Sequence, residues 1–279
     1  MEELLHTYTA DGLLLEGVRH GPRPIDIAIV YTHGVTSSVF RKTHVLIGRS
    51  LSDAGWTVIA GNNRGAALAY PLLHRSGTRV LGGAWFERLE DAAIDIDAWI
   101  DAALAAGAKR IVLFGHSLGA VKAILYASEH PQQPLAGLVL ASPPLRAFAS
   151  PPRADLLAAA TKAVAEGTPQ DLLELPAAGV TFGRMSAATV LARAAFGDPA
   201  PRVRAIGCPI LTIYGTEEVE VGGQADLDRL DALAPGRFSG ALIPGADHMY
   251  ADHESEAASV VGRWIGSVVD RPATVPLSR

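Results

Sequence analysis

The chain is poor in cysteine and has no long apolar run. One of its 279 residues is a cysteine, Cys208, so no disulfide can form within the chain. No histidine stands near Cys208 in the sequence, and we expect a packed side chain rather than a reactive thiol. Every apolar stretch is interrupted before the roughly 18 residues that a spanning helix requires, which excludes a membrane span.

The N-terminus also lacks the basic segment and apolar core of a secretory signal. Together with the single cysteine, this favours a cytoplasmic location. Charged residues make up 19% of the chain, with 24 Lys and Arg against 29 Asp and Glu and a net charge of -5. A broad basic surface is therefore excluded, and we expect a small-molecule partner and no nucleic acid. Nothing in the sequence indicates an oligomeric state.

The helical segment 86–105 contains four aspartates, and one interpretation is that they bind a metal ion. No histidine accompanies them, so we interpret them as a solvated helix face and predict no metal or cofactor. The four residues are Asp91, Asp95, Asp97 and Asp101.

Short runs rich in Ile, Val and Leu alternate with helical segments along most of the chain. Residues 4–19 alternate apolar and polar side chains around Asp11-Gly12, which predicts a hairpin. Strand followed by helix, repeated, predicts an α/β fold whose mainly parallel sheet carries helices on both faces. The further strands are predicted at Ile25–Thr32, Thr57–Ala60, Arg110–Phe114, Leu135–Leu140, Ile210–Tyr214 and 238–243, and the clearest helices at 86–105, 153–166, 186–196, 224–233 and 253–268.

The stretch from Pro143 to about Ala205 breaks this alternation, because no strand in it is convincing and two helical segments lie among Pro and Gly turns. We interpret 143–205 as a helical cap inserted into a core made of 1–142 and 206–270. A cap at this point lies over the carboxyl ends of the strands, where open α/β sheets bind ligands. Residues 271–279 are predicted to be a flexible tail.

The segment Gly115-His116-Ser117-Leu118-Gly119 follows a buried-type strand and precedes a helix. This G-x-S-x-G turn is typical of a nucleophile elbow, which exposes a strained serine at the edge of a sheet. Glycines two residues before and after the serine leave room for the tight turn. We therefore predict that Ser117 is a nucleophile.

A serine nucleophile needs a base, and the base needs a group that fixes its orientation. In folds with this elbow the order is serine, acid, histidine, so the base follows Ser117 in the chain. His130 ends the helix that starts at the elbow and points away from the serine. His248 lies in a loop after the last strand and is preferred over His253, which opens the closing helix.

The acid is expected on the loop after the strand Ile210–Tyr214, which reads Gly215-Thr216-Glu217-Glu218. The spacing resembles the G-x-x-D turn found at this place in many such enzymes and selects Glu218, with Glu217 as the alternative. Asp247 adjoins His248, but neighbouring side chains in a loop generally diverge, so we interpret it as a turn residue.

Two backbone N–H groups are needed to stabilise the oxyanion. Leu118 follows the nucleophile at a helix N-terminus, which favours negative charge, and its N–H is one predicted donor. The other is Val35, in the loop His33-Gly34-Val35 after the strand that ends at Thr32. His33 is interpreted as a loop brace, and so is Arg64, which follows the next strand and could otherwise bind an anionic substrate.

Taken together, these segments resemble the α/β-hydrolase superfamily, in particular its serine esterase and lipase-like members. The resemblance implies an eight-stranded, mostly parallel sheet with a cap, catalysis without a metal, and attack on an ester, thioester or amide carbonyl. The oxyanion loop lacks the longer HGGG form, and the acid is glutamate rather than the more usual aspartate. The resemblance spans Ile25 to Val268 and rests on His33-Gly34, Asn63-Arg64-Gly65, Gly115–Gly119, Gly215–Glu218 and Gly245–His248, in the family order.

We therefore predict a serine hydrolase that cleaves a carboxylic ester of a small, largely apolar substrate through an acyl-serine intermediate. Serine at the elbow argues against the dehalogenases and epoxide hydrolases that resemble this fold but use a carboxylate nucleophile. One alternative is a small-molecule-binding protein with slow or no turnover. Another is an acyltransferase or perhydrolase, which would use the same residues.

Overall fold

A computed structural model describes residues 1–23, 26–150, 153–175 and 183–269 of the chain. The strands are β1 (Glu2–Tyr8), β2 (Leu14–His20), β3 (Ile27–Thr32), β4 (Val58–Gly61), β5 (Tyr70–Leu73), β6 (Arg79–Gly82), β7 (Arg110–His116), β8 (Leu135–Ala141), β9 (Leu172–Glu174), β10 (Arg184–Ser186), β11 (Ile210–Gly215) and β12 (Phe238–Ile243). The helices are α1 (Lys42–Asp53), α2 (Ala92–Ala105), α3 (Leu118–Glu129), α4 (Leu145–Ala149), α5 (Ala154–Ala165), α6 (Ala187–Phe196), α7 (Gln224–Leu233) and α8 (Glu254–Val269), with 3-10 turns at Leu89–Asp91 and Ala200–Ala205.

One sheet of eight strands runs through the molecule in the order β1-β2-β4-β3-β7-β8-β11-β12. The β1–β2 and β2–β4 pairs are antiparallel, and every other pair in this sheet is parallel. The carboxyl ends of the parallel strands therefore lie along one edge, where the loops after β3, β7, β8, β11 and β12 meet. This confirms the predicted α/β fold with an eight-stranded, mostly parallel sheet.

The central strands are apolar on both faces because helices cover the sheet on both sides. Successive side chains of a strand point to opposite faces. In β7, Ile111 and Leu113 pack into the cluster that contains residues of α2 and α3, whereas Val112 and Phe114 pack into the cluster that contains residues of α1 and α8. The sheet is therefore packed between two apolar cores, one on each face, which fix the positions of its strands and of the loops at their carboxyl ends.

Most predicted elements are present, and the differences are at α1, at the start of α2 and at short strands. The hairpin around Asp11-Gly12 forms as β1 and β2. The helix predicted at 86–105 starts at Ala92 and is preceded by a 3-10 turn, and α1 and the β5–β6 hairpin were not predicted. β3 starts at Ile27, and its predicted first residue, Ile25, lies outside the described residues.

The expectation that no strand lies between Pro143 and Ala205 is wrong. β9 and β10 pair in this stretch as a short antiparallel ladder, with Met185 opposite Leu173. Strands of three residues are too short to show an alternating pattern. The helices predicted at 153–166 and 186–196 form as α5 and α6 and share a separate small apolar cluster. The division into a core and a cap at 143–205 stays a prediction, and the predicted tail 271–279 lies outside the described residues.

The interpretation of the aspartates as a solvated face is wrong for Asp95, which is buried. Its carboxylate accepts a hydrogen bond from the Arg64 N–H at 2.8 Å and contacts the Arg64 guanidinium at 2.9 Å. The same guanidinium contacts Asp11 and Asp91. These contacts occupy the Arg64 guanidinium within the fold. Within the ranges given above, no helix is long and apolar enough to cross a bilayer.

Candidate active site

Ser117 stands at the junction between β7 and α3 in a strained backbone conformation, with φ 55° and ψ -124°. Its N–H donates to the carbonyl of Ala141 at the end of the neighbouring β8, at 2.8 Å. A non-glycine residue with a positive φ is costly and is kept only where the surrounding structure holds it. The turn projects the Ser117 side chain at the carboxyl edge of the sheet.

The glycines around Ser117 are required by close backbone contacts. A Cβ at Gly115 would lie 2.3 Å from the carbonyl oxygen of Gly119, and a Cβ at Gly119 would lie 2.6 Å from the carbonyl oxygen of Thr32. Real Cβ atoms do not come this close to backbone atoms. The strand, the turn and the helix therefore fit together only with glycine at these two positions.

His248 lies in the loop between β12 and α8, and its imidazole reaches Ser117. The distance from His248 Nε2 to Ser117 Oγ is 3.0 Å. On its other side, His248 Nδ1 lies 2.7 Å from Glu218 Oε2. An ionised carboxylate only accepts hydrogen bonds, so Nδ1 carries the proton and Nε2 is free to accept the Ser117 hydroxyl hydrogen. A serine, a histidine and a carboxylate thus form one hydrogen-bonded line.

Glu218 is held from several directions after β11. Its side chain is 1% exposed. Its Oε1 accepts hydrogen bonds from the Gly215 N–H and from the Ser142 hydroxyl, each at 2.6 Å. Glu217 is exposed instead, and its N–H donates to Ala246. Of the two glutamates left open by the sequence, the fold brings Glu218 to the histidine.

The other candidates for the base and the acid make contacts of their own. Asp247 accepts hydrogen bonds from the N–H groups of Met249 and Ala251, as a turn residue does. His253 directly precedes α8 and contacts Glu256 in the first turn of that helix. Neither side chain joins the line formed by Ser117, His248 and Glu218.

Ser142 and Tyr250 belong to the site and were missed in the sequence. Ser142 follows β8 with φ 50°, and its hydroxyl lies 2.7 Å from the hydroxyl of Tyr250 as well as contacting Glu218. Tyr250 donates to the carbonyl of Ile213 at 3.1 Å. The loop after β8 contains no carboxylate, so it offers no candidate for the acid and Ser142 is not singled out. The available signal was a serine directly at the end of a buried strand.

His116 was also missed, although it precedes the predicted nucleophile. Its Nε2–H donates to the backbone carbonyl of His248 at 2.8 Å, and the two ring centroids lie 5.2 Å apart. Burial, and then the neighbouring His44, holds the pKa of His116 well below its usual range. His116 is therefore neutral and ties the loop of His248 to the end of β7.

The loop 33–35 packs directly against Ser117. A Cβ at Gly34 would lie 2.7 Å from the Cβ of Ser117. Leu118 is the first residue of α3, so its N–H has no acceptor within the helix. The side chains of Val35 and Leu118 join one apolar cluster next to the serine. Both predicted oxyanion donors thus belong to segments that adjoin Ser117.

His33 holds this loop from behind. Its Nδ1–H donates to the carbonyl of Gly34 at 2.8 Å, and its Nε2 accepts the Asn63 N–H at 3.2 Å. Burial, together with the positive charge of Lys122, lowers the pKa of His33 to about 3. The ring is neutral at physiological pH, which this pair of hydrogen bonds requires.

Cys208 lies before the first residue of β11, whereas Glu218 follows the last residue of this strand. Burial raises the pKa of the Cys208 thiol to about 12. A thiol of this kind is not reactive at neutral pH. In the part of the chain that the structure describes, no group of three or more His, Cys, Asp or Glu side chains is arranged to hold a metal ion.

Comparison with known proteins assigns the chain to a family. The family described as serine aminopeptidase, S33, matches residues 23–177, which is more than half of the chain. The chain belongs to this family of α/β hydrolases. The prediction of an esterase-like α/β hydrolase is therefore confirmed at the level of family and fold. No curated protein matches the sequence.

Solved structures share the fold over almost the whole chain. Est1E from Butyrivibrio proteoclasticus, solved with ferulic acid bound, has a TM-score of 0.70 at 16% identity and covers 95% of this chain and 99% of its own. The α/β hydrolase GrgF from Penicillium has a TM-score of 0.74 at 13% identity, covering 96% and 98%. An esterase from Pyrococcus furiosus has a TM-score of 0.64 at 20% identity, covering 96% and 91%.

Proposed function

We propose that this protein hydrolyses a carboxylic ester of a small, largely apolar substrate through an acyl-serine intermediate. The observation that supports this most is the hydrogen-bonded line from Ser117 through His248 to Glu218, at 3.0 and 2.7 Å. A serine hydroxyl attacks a carbonyl only when a base removes its proton, and the base works best when a carboxylate fixes its tautomer.

In the first half of the reaction, Ser117 Oγ bonds to the carbonyl carbon while its proton passes to His248 Nε2. The resulting imidazolium is stabilised by the buried carboxylate of Glu218. His248 then gives this proton to the oxygen of the leaving group, the C–O bond breaks, and an alcohol departs. In the second half, water attacks the acyl carbon, its proton passes to Nε2 and returns to Ser117 Oγ, and the acid is released.

The negative charge of each tetrahedral intermediate falls on the former carbonyl oxygen. The N–H groups of Val35 and Leu118 are the proposed donors to it, and Leu118 adds the positive end of α3. Support comes from the loop 33–35 packing on Ser117 and from the position of Leu118 at the helix start. Preorganised donors of this kind are typically worth about 10²- to 10³-fold in turnover each.

An apolar acyl group is favoured by the surroundings of these donors. The side chains of Val35 and Leu118 pack in one cluster with Leu89, Val121, Phe148 and Phe196. Phe148 and Phe196 come from α4 and α6 and meet edge to face, with ring centroids 5.6 Å apart. Est1E, which shares the fold, is described with ferulic acid bound, and an aromatic acid of that size suits such a cluster.

Replacing Ser117 by Ala tests the nucleophile. Turnover of a short p-nitrophenyl ester should fall by several orders of magnitude, up to about 10⁶-fold, while the thermal midpoint stays close to that of the wild type. Ser128→Ala, at the end of the same helix, is the matched control and should keep full activity. A fluorophosphonate probe should label the wild type at Ser117 and leave the Ser117→Ala protein unlabelled. Undiminished hydrolysis by Ser117→Ala would overturn the assignment.

A panel of substrates distinguishes ester hydrolysis from amide hydrolysis, acyl transfer and ligand binding without turnover. It contains acyl esters of increasing length, an aromatic ester and amino-acid p-nitroanilides, since the family is named for aminopeptidases. Product analysis with an added alcohol distinguishes hydrolysis from acyl transfer. We expect the free acid as the main product and esters to be cleaved faster than anilides. Ligand-induced stabilisation without turnover would instead favour a binding protein.

A further inference from the structure

A buried ion pair that the proposed reaction does not use lies behind the oxyanion loop. It joins Glu87, in the segment before the 3-10 turn 89–91, to Lys122 of α3. The two side chains are 3% and 1% exposed. Taking two charges out of water is costly, and such a pair often stabilises a fold no better than apolar residues of the same size. Fold stability is therefore a weak reason for its presence.

The carboxylate of Glu87 packs against the backbone of the loop that follows β4. A Cβ at Gly65 would lie 2.2 Å from the carboxylate carbon of Glu87, so this side chain occupies the space beside the glycine. The Gly65 N–H donates to Asn63 Oδ1 at 3.0 Å. The second oxygen of Glu87 has no hydrogen-bond partner among the described residues. Lys122 forms the ion pair with this carboxylate, and the buried guanidinium of Arg193 is a second cation that interacts with it.

Asn63 joins the loop that Glu87 packs against to the oxyanion loop 33–35. Its side-chain NH₂ donates to the carbonyl of His33 at 3.2 Å and to the hydroxyl of Thr32 at 3.1 Å. Its backbone N–H donates to His33 Nε2. His33 in turn donates to the carbonyl of Gly34, one residue before the Val35 N–H. Buried groups thus connect Glu87 to the first proposed donor without a gap.

Lys122 belongs to the same helix as the second proposed donor, the N–H of Leu118. It lies four residues after Leu118 in α3, and residues at this spacing share one face of a helix. Its charge also helps to keep His33 neutral, since Lys122 is the largest contribution to the lowered pKa of His33 after burial. A neutral His33 can accept the Asn63 N–H, whereas a protonated ring cannot.

We propose that Glu87 and Lys122 are positioning residues of the oxyanion hole, which fix the loop of Val35 relative to the helix that begins at Leu118. This inference rests on the proposed function, because it gives a role to the two oxyanion donors. Neither side chain touches the reacting atoms. Their effect is on the geometry of the transition state and not on substrate binding.

The test replaces the pair by apolar side chains of similar size, Lys122→Met/Glu87→Leu, so that neither member of the pair is left buried without the other and the net charge of the buried group, which includes Arg193, is unchanged. We expect kcat to fall about 10- to 100-fold with KM changed less than about threefold, because small displacements of oxyanion donors are felt mainly in the transition state. A trifluoromethyl ketone, which forms a tetrahedral adduct with the serine, should bind more weakly by a similar factor. The thermal midpoint should stay near that of the wild type.

Arg19→Met/Glu3→Leu is the matched control. It also removes a buried cation and its carboxylate partner, but on β2 and β1 at the far edge of the sheet. This variant should keep the kcat and the ketone affinity of the wild type. If the first double variant fails to fold, Glu87→Asp replaces it, because the shorter side chain keeps the charge but withdraws the carboxylate from Gly65.

A wild-type kcat and ketone affinity in the Lys122→Met/Glu87→Leu protein, or in the substitute Glu87→Asp protein, would overturn the inference. A loss of kcat/KM that comes entirely from a higher KM, with kcat unchanged, would also overturn it. Failure of the proposed function is a separate result, since it is seen as hydrolysis that persists in Ser117→Ala or as absence of fluorophosphonate labelling in the wild type.

Discussion

Glu218 is the side chain whose surroundings say most about the proposed chemistry. A carboxylate that orients a histidine has to stay ionised and fixed while the imidazolium forms beside it. Its two oxygens have separate partners here, because Oε2 faces His248 whereas Oε1 accepts from Gly215 and Ser142. These contacts fix the orientation of the carboxylate toward His248.

Replacing Glu218 by Gln is expected to lower kcat about 10³- to 10⁴-fold, because the amide does not stabilise the imidazolium and can select the wrong tautomer of His248. Steady-state kinetics on the p-nitrophenyl ester would measure the loss. Glu217→Gln is the control for a charge lost from the same loop, and it should keep nearly full activity. Equal losses in the two variants would argue against Glu218 as the acid.

The sequence identified single residues where turn chemistry or chain order marks them. Ser117 is predicted from its two glycines and His248 from its place after the last strand, and the fold brings these two side chains within 3.0 Å of each other. Ser142 and His116 are not predicted, because their roles arise from contacts across 76 and 132 residues of sequence, with Glu218 and with the carbonyl of His248. A serine or histidine carries no local mark of such a partner.

The elements that the sequence analysis does not predict are α1, the β5–β6 hairpin and the three-residue strands β9 and β10. The long helix α2 was found, but its start was placed too early, because Phe86 and Leu89 continue the apolar spacing of the helix. Leu89 lies in the 3-10 turn and is buried with Leu118. Apolar periodicity reports burial, and burial does not end where the helix ends. The three-residue strands β9 and β10 carry no period at all.

The close fit between the loop after β3 and the elbow makes a prediction for Gly34→Ala. The new Cβ would lie 2.7 Å from the Cβ of Ser117 and 3.1 Å from its Oγ, so the loop has to move away. We expect kcat to fall about 100-fold through displacement of the Val35 N–H, with a cost in stability of about 1–3 kcal/mol. Kinetics and thermal unfolding on the same preparation would measure both.

Gly207→Ala is the control for this substitution, since a Cβ at Gly207 meets nothing within 4 Å. Its kinetics and its thermal midpoint should match those of the wild type. An active Gly34→Ala enzyme with unchanged kcat would mean that the loop tolerates the displacement, and Val35 would no longer be supported as an oxyanion donor.

The folded chain as a unit buries several histidines in their neutral form around this site. Burial lowers the pKa of His33 and of His44 to about 3, and that of His116 lies well below its usual range for the same reason. His44 lies within hydrogen-bond distance of the Tyr31 hydroxyl at 2.6 Å and of the Ser37 hydroxyl at 2.8 Å. The sequence does not predict that these imidazole rings are buried, since histidine occurs both in protein interiors and on protein surfaces.

These histidines make the free energy of unfolding depend on pH in a defined direction. In the unfolded chain each has a pKa of about 6.5, so below that pH the unfolded state binds protons that the folded state does not. Stability is therefore fully present above about pH 6.5 and is lost as the pH falls toward 3. Each such histidine should lower the free energy of unfolding by about 2 kcal/mol between pH 7 and pH 5.

Urea denaturation at pH 7, 6 and 5 would measure this dependence, and His44→Gln isolates one group. The amide can donate to one neighbouring hydroxyl and accept from the other, but it does not titrate, so this variant should lose about 2 kcal/mol less than the wild type over the same range. His6→Gln replaces an exposed histidine of β1 and is the control for the loss of an imidazole at the surface. If His44→Gln kept the full pH dependence of the wild type, His44 would have to be protonated in the folded protein, and the neutral hydrogen-bonded ring described here would be wrong.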